Sequence, residues 1–260
     1  MCGGMALWCS RGPACSQQAD KPPETWPAPQ EGDYLVHDFK FQSGETLPDV
    51  KLHYYTLGKP AKDANGRTTN AVLILHGTGG SGNGFLRPIF AGVLFGPGQL
   101  LDATKYFIIL PDNVGHGKSS KPRDGMHARF PQYEYADMIA LQHELVAKGL
   151  GVDHLRLILG TSMGCMHSWM WGEIYPEYMD ALMPLACLPV EIAGRNRMWR
   201  KMVMDGIRQD PDWKNGEYTT EPCEGSRFWR IFCSSLEVHH FTSMKNCRRV
   251  TPPISTLRTP

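Results

Sequence analysis

A serine between glycines is the residue of this chain whose setting most directly suggests chemistry. It stands within Gly160-Thr-Ser-Met-Gly164, which fits the pattern G-x-S-x-G. The apolar residues 155–159 predict a buried strand before it, and residues 165–175 predict a helix after it. A sharp turn between strand and helix exposes the Ser162 hydroxyl and aims the first free N–H groups of the helix at a bound molecule. Ser162 is therefore the predicted nucleophile, with an ordinary glycine-rich turn as the alternative.

A second glycine-rich segment follows another predicted strand. Residues 71–75 are continuously apolar and lead into His76-Gly-Thr-Gly-Gly-Ser-Gly82. The segment matches G-x-G-x-x-G, so a dinucleotide site is one interpretation, but Asp102 precedes the next strand instead of closing it, and no strong helix begins within the glycines. The favoured interpretation is a loop whose backbone N–H groups face a reaction centre.

A third loop, Asp112-Asn-Val-Gly-His-Gly-Lys-Ser119, follows the strand predicted at residues 106–110. Gly117-Lys118-Ser119 resembles the end of a P-loop, but the glycine required five positions before Gly117 is Asp112. We therefore exclude an ATP site of that type. His76 is predicted to be a hydrogen-bonded loop anchor rather than a base, and His167 to be structural or surface-facing.

Composition limits the class of protein. The chain has 260 residues, of which 42% are hydrophobic and 20% charged, and its net charge is +1. These values are typical of a globular protein and give no reason to expect a nucleic-acid partner. No apolar run approaches the roughly 20 residues of a membrane span, and the cysteines form no C-x-x-C or zinc-type pairing with histidine, so no metal is expected. Of the eight cysteines, Cys165 and Cys187 lie in apolar patterns and are predicted to be core thiols, whereas the other six lie towards the two ends, where a disulfide set is an alternative.

The order of the remaining patterns predicts the architecture. Two alternating strands (34–41 and 50–57) are expected to form a hairpin, followed by strand–helix repeats with helices at 85–94, 133–148 and 192–208 and a last strand at 181–187. This is an α/β class with a mostly parallel sheet covered by helices on both faces. The methionines of the last helix (Met198, Met202 and Met204) are predicted to be core or a pocket wall.

The predicted organisation has four parts. Residues 1–32 are an extended, proline-rich lead-in without a recognisable targeting signal, 33–190 the core, 191–222 the start of a helical lid and 223–260 an irregular tail. A cytoplasmic location is expected, and a periplasmic or secreted one if the true N terminus is missing.

Taken together, the motifs resemble the α/β-hydrolase superfamily. Gly160-Thr-Ser-Met-Gly-Cys-Met-His167, Trp171-Gly-Glu-Ile-Tyr-Pro176 and Asp210-Pro-Asp-Trp-Lys-Asn-Gly-Glu-Tyr218 are similar, more narrowly, to the homoserine O-acetyltransferase branch. The resemblance implies that Ser162 accepts an acyl group from acyl-CoA, which acts as a co-substrate, and passes it to a hydroxyl acceptor. The backbone N–H groups of Met163 and Thr78 are the expected oxyanion hole. The implied partners are therefore a small acyl donor and acceptor, and a homodimer stays open.

The acid and base of such a site are not identifiable in the sequence. This fold places them after later strands, in the order Ser, Asp or Glu, His. Asp205, Asp210 or Asp212 with His239 or His240 would keep that order, but no strand pattern precedes any of them. We expect a truncated or frame-shifted member that lacks its last strands, which would leave residues 155–159 and 181–187 short of partners. An ester hydrolase and a non-catalytic fragment are the alternatives to an acyltransferase.

Overall fold

The computed structural model of the chain describes residues 26–219. Six strands form one sheet in the order β1-β2-β4-β3-β5-β6. Their bounds are β1 (Gln30–Lys40), β2 (Thr46–Leu57), β3 (Ala71–Leu75), β4 (Phe107–Pro111), β5 (Leu157–Thr161) and β6 (Leu182–Leu185). The last four strands run parallel to one another, and β2 joins them by pairing antiparallel with β4.

The predicted hairpin is confirmed, and its first strand is longer than expected. β1 and β2 pair antiparallel with Val36 opposite Val50. β1 begins at Gln30, within the segment assigned to the extended lead-in, because residues 30–32 pair with the end of β2, where Gly32 lies opposite Tyr54. The rest of the predicted lead-in up to residue 25, and the tail at 223–260, lie outside the described residues.

Four α-helices lie within the described residues, and the first three pack against the sheet. They are α1 (Pro88–Leu94), α2 (Tyr135–Glu144), α3 (Met163–Ile174) and α4 (Gly194–Gln209). The helix predicted at residues 85–94 is divided, since a 3-10 helix (Gly82–Leu86) ends before Arg87 and α1 begins after it at Pro88. α2 continues as a π turn (Leu145–Gly149) and so reaches its predicted length. Further 3-10 turns lie at Pro122–Asp124, His127–Arg129, Pro176–Tyr178 and Lys214–Gly216.

The core lies on both faces of the parallel strands, as the continuous apolar runs predict. Val72 and Ile74 of β3 pack in the cluster that contains Ala91 of α1. Leu73 of β3 points to the other face and packs in the cluster that contains Trp171 of α3. The predicted α/β fold with helices on both faces is therefore confirmed.

Two expectations about exposure need correction. β5 is paired on both sides, because it lies between β3 and β6, so of these two predicted strands β6 alone has an open edge within the described residues. The α4 methionines are not core: they are 45–53% exposed, since Gly206 is the only buried residue of that helix.

The prediction that Cys165 and Cys187 are core thiols is wrong. The two residues form a disulfide between α3 and the segment after β6, with 5.9 Å between their Cα atoms. The parallel pairing of β5 and β6 brings them together, because each cysteine follows the carboxyl end of its strand by a few residues. The other six cysteines lie outside the described residues. None of the described helices is long and apolar enough to cross a membrane.

Candidate active site

Ser162 occupies the tip of the turn between β5 and α3. Its side chain is exposed, and its backbone dihedrals are φ 53° and ψ −111°. A positive φ at a residue other than glycine is strained and persists only where neighbouring contacts enforce it. Here the Ser162 N–H donates to the Leu185 carbonyl oxygen at 2.9 Å, and the Ser162 carbonyl oxygen accepts from Met166 N–H at 3.2 Å. The turn is therefore held by β6 on one side and α3 on the other.

The glycines on either side of Ser162 are required by close packing. A Cβ on Gly160 would overlap the Gly164 carbonyl oxygen, and a Cβ on Gly164 would overlap the carbonyl oxygen of Leu75 in β3. The helix therefore starts directly against the neighbouring strand. This is the geometry that the G-x-S-x-G pattern predicts.

The loop after β3 lies beside the serine. A Cβ on Gly77 would lie 3.2 Å from the Ser162 Cβ, so the Gly77 backbone lies against the Ser162 side chain. Thr78 is the next residue along the loop. No hydrogen bond within residues 26–219 is found for the backbone N–H of Thr78 or of Met163. The structure thus brings together the three residues that the sequence singled out: Ser162, Thr78 and Met163.

His76 anchors this loop through both ring nitrogens. Its Nδ1–H donates to the Gly77 carbonyl oxygen at 2.9 Å, and its Nε2 accepts from the Asn113 backbone N–H at 3.1 Å. Burial lowers the pKa of His76 to about 4. A neutral ring with both nitrogens engaged is a loop anchor, as predicted.

Asp112 fixes the third loop from within. Its buried carboxylate accepts the backbone N–H groups of Gly82 at 2.6 Å and Lys118 at 2.8 Å and contacts His53 Nδ1 at 3.1 Å. The Lys118 ammonium pairs with Glu31 of β1, so Lys118 is part of a structural network. Sequence reasoning missed the role of Glu31 because the residue falls in the segment assigned to the lead-in.

His167 is buried within α3, so a surface-facing position is excluded. Its Nδ1 accepts from Gln142 Nε2 at 3.1 Å, and its Nε2 has no partner among residues 26–219. Burial lowers the pKa of His167 to about 3. Gln142 also bonds Asn113 and accepts from Trp171 Nε1 at 2.7 Å, which links the third loop to α3. His167 is therefore a structural residue.

No base is found at Ser162 in the described part of the chain. Between residues 26 and 219, no side chain forms a hydrogen bond with the Ser162 hydroxyl. Among the alternative acids, Asp205 is paired with Lys201 on the exposed side of α4, and Asp210 is buried, with its carboxylate accepting from Asp212 N–H at 2.9 Å. His239 and His240 lie outside the described residues.

A cavity of about 290 Å³ opens around Ser162. Arg200 of α4 lines it, and its guanidinium donates to Asn196 Oδ1 at 2.8 Å and to the Thr78 hydroxyl at 3.5 Å. Tyr135 at the start of α2 forms another wall, and burial raises the pKa of its hydroxyl. Sequence reasoning did not assign Arg200 or Tyr135 to the site, because their proximity to Ser162 depends on tertiary packing. The segment between β6 and α4 positions Arg200, and the packing of α2 against α3, where Tyr135 contacts His167, positions Tyr135. Among residues 26–219, no cluster of side chains could hold a metal ion.

Comparison with known proteins places this chain in a family. A family model described as the α/β hydrolase fold matches residues 70–221, which is more than half of the chain. The chain belongs to the α/β hydrolase fold family.

Its curated relatives include acyltransferases. A probable acyltransferase from Methanothermobacter thermautotrophicus is 30% identical over 184 residues, which cover 70% of this chain and 56% of that protein. A homoserine O-acetyltransferase from Thermobifida fusca is 32% identical over 205 residues, which cover 74% and 52%. The resemblance to this branch is thus confirmed at the level of sequence. The chain spans about half the length of the curated relatives it matches.

Solved structures share the fold. An acetylester hydrolase from Corynebacterium glutamicum superposes with a TM-score of 0.70 at 22% identity, covering 80% of this chain and 59% of that one. A homoserine O-acetyltransferase from Bacillus anthracis gives 0.64 at 23% identity, covering 78% and 60%. At these identities the comparison establishes a common fold alone.

Proposed function

We propose that this chain carries the nucleophile and the oxyanion hole of an acyl-transfer enzyme. Ser162 would take an acyl group from a donor of the acyl-CoA type and pass it to a hydroxyl acceptor. The observation that carries the proposal is the strained, exposed Ser162 at the β5–α3 turn with the Gly77–Thr78 backbone beside it. The curated relatives named as acyltransferases support the same class of reaction.

The reaction has two halves. In the first, Ser162 Oγ attacks the carbonyl carbon of the thioester, gives its proton to a base, and the carbon–sulfur bond breaks to release the thiol. The carbonyl oxygen becomes negative in the tetrahedral intermediate, where the N–H groups of Thr78 and Met163 would stabilise it. In the second half, the acceptor oxygen attacks the acyl-serine and Ser162 Oγ leaves and regains a proton.

Among residues 26–219 no base for this mechanism is found, because His76 and His167 are neutral anchors with other partners. This observation also favours a second candidate, a non-catalytic chain. A third candidate, an ester hydrolase, is favoured by the exposure of Ser162 to solvent, since water would then replace the acceptor. Its support from solved esterases is at the level of fold.

A fluorophosphonate probe tests whether Ser162 is activated. We expect the full-length chain to be labelled, Ser162→Ala to lose the label, and Ser43→Ala, which changes an exposed serine of the β1–β2 turn, to keep it. No labelling of a folded chain would favour the non-catalytic candidate. If labelling occurs, incubation with acetyl-CoA and homoserine distinguishes the remaining two: an O-acetyl product indicates transfer, and free acetate indicates hydrolysis.

A further inference from the structure

A second, larger cavity adjoins the one at Ser162. Its volume is about 700 Å³, within the roughly 300–1,000 Å³ of typical ligand pockets. Six residues line both cavities, so the two spaces lie side by side: Tyr135, Met166, Leu188, Val190, Glu191 and Ile192. The activity proposed above, if confined to acetyl groups, leaves this space unused.

The larger cavity runs along α3 away from the serine. Met163 lines the first cavity, Met166 both, and Met170 and Glu173 the second. Residues three or four apart share one face of a helix, so these side chains form a continuous stripe that starts at Ser162. From Ser162 to Met170 the helix rises about 12 Å, at roughly 1.5 Å per residue.

The walls are mainly apolar and partly open to solvent. Leu188 is 70% exposed, Val190 60% and Trp169 37%. Charged side chains stand among the exposed lining residues, where Glu173, Glu191 and Arg197 reach solvent. Adjacent apolar side chains exposed along a groove are typical of a surface that a ligand covers.

We propose that this cavity receives the chain of a medium-length acyl group, of about eight carbons, whose carbonyl lies at Ser162. The inference rests on the proposed function for the position of the carbonyl, but the cavity itself does not depend on catalysis. Methionine side chains suit this role because they adapt to a flexible alkyl chain. A two-carbon acyl group would occupy the smaller cavity alone and leave the larger one empty.

Binding to the full-length Ser162→Ala variant, measured by calorimetry with octanoate and with acetate, tests the cavity without catalysis. Each fully buried methylene raises affinity roughly fourfold. Because the cavity is open on one side, we expect each methylene to contribute about half of that binding free energy. Octanoate should therefore bind on the order of 50-fold more tightly than acetate. Equal binding of the two acids would overturn the proposal.

Two variants locate the chain. Met170→Trp fills the cavity and should abolish the advantage of octanoate, whereas Ile174→Trp, on the same helix, exposed and outside both cavities, should keep it. Leu188→Ser removes an exposed wall and should reduce the advantage severalfold, which covers the case in which Met170→Trp does not fold. If Met170→Trp and Leu188→Ser both retain the full advantage, the chain binds elsewhere and the proposal fails.

A parallel experiment relates the cavity to Ser162. In the chain with Ser162 present, an octyl fluorophosphonate should label faster than an ethyl one, and Met170→Trp should remove the difference. Absence of labelling with both probes would contradict the proposed function while leaving the octanoate measurement intact. Equal labelling rates with both probes would contradict the cavity's role in receiving the acyl chain.

Discussion

At Ser162 the backbone adopts a conformation that costs about 1–3 kcal/mol for a residue with a side chain. The contacts that enforce it come from three elements: Leu185 accepts the serine N–H, and the absence of side chains at Gly160 and Gly164 lets α3 begin against β3. The strain is therefore compensated by packing that has nothing to do with a bound substrate. It follows that the serine should keep its position whether or not a base is present.

The buried histidines make stability depend on pH. His76 has a pKa of about 4 in the folded chain, against about 6.5 in an unfolded one. Between these values the unfolded chain binds more protons, so the contribution of His76 is fully present above about pH 6.5 and is lost as the pH falls towards 4. The difference in pKa corresponds to about 3 kcal/mol. We expect the free energy of unfolding to fall between pH 7 and pH 4.5, measured by urea titration.

A variant isolates the contribution of this residue. His76→Gln should be less stable than the wild type at pH 7, because Gly77 and Asn113 lose their partner, but its stability should vary less with pH across the same window. His37→Gln is the matched control, since that histidine is exposed on β1. An unchanged pH dependence in His76→Gln would show that the ring is not held neutral.

Among the elements, α3 and the segment after β6 are joined covalently by Cys165 and Cys187. The disulfide closes a loop with a sequence separation of 22 residues, for which the chain-entropy estimate is about 3 kcal/mol of stabilisation. We expect the Cys165→Ala, Cys187→Ala double variant to unfold at lower urea concentration by a corresponding amount. The same loss should follow when the wild type is reduced.

Alkylation followed by peptide mass spectrometry checks the bond directly. In the unreduced native chain, neither Cys165 nor Cys187 should react, and the two peptides should be found linked. The Cys165→Ala, Cys187→Ala double variant serves as the control. Because it lacks this disulfide, the stability that the wild type loses on reduction of this bond should not be lost when a reductant is added to the variant. Alkylation of both residues in the native chain would contradict the disulfide.

Most helices and strands could be predicted from the sequence, because the spacing of apolar residues that identifies each of them is a local property of the chain. The continuous apolar runs of β3, β4 and β5 identified buried strands to within two residues at each end, and the glycines around Ser162 identified the turn. The disulfide was not predicted, since two cysteines in apolar patterns are equally compatible with free thiols until the fold sets their distance. Arg200 was missed for the same reason: 38 residues separate it from Ser162, and only the path after β6 brings them together.

At the scale of the whole molecule, the described sheet has two open edges of different character. β1 presents the outer edge of a long hairpin, whereas β6 has only four residues. Met183 and Leu185 of β6 are 46% and 38% exposed, and Leu188 and Val190 continue the apolar surface beyond it. An exposed apolar edge is a template for pairing with another chain.

We therefore expect this chain to self-associate through β6. The Met183→Lys, Leu185→Lys double variant should shift the protein towards monomer in sedimentation velocity over a range of concentrations, because two like charges at the edge repel a second copy. Its thermal stability should change little, since both side chains are already exposed and surface substitutions typically cost no more than about 0.5 kcal/mol each. Leu35→Lys, an exposed apolar residue on the β1 edge, is the matched control and should leave association unchanged. If Leu35→Lys and the β6 variant disperse the chain equally, association depends on net charge and not on the edge. A wild type that is monomeric at all concentrations would contradict the prediction.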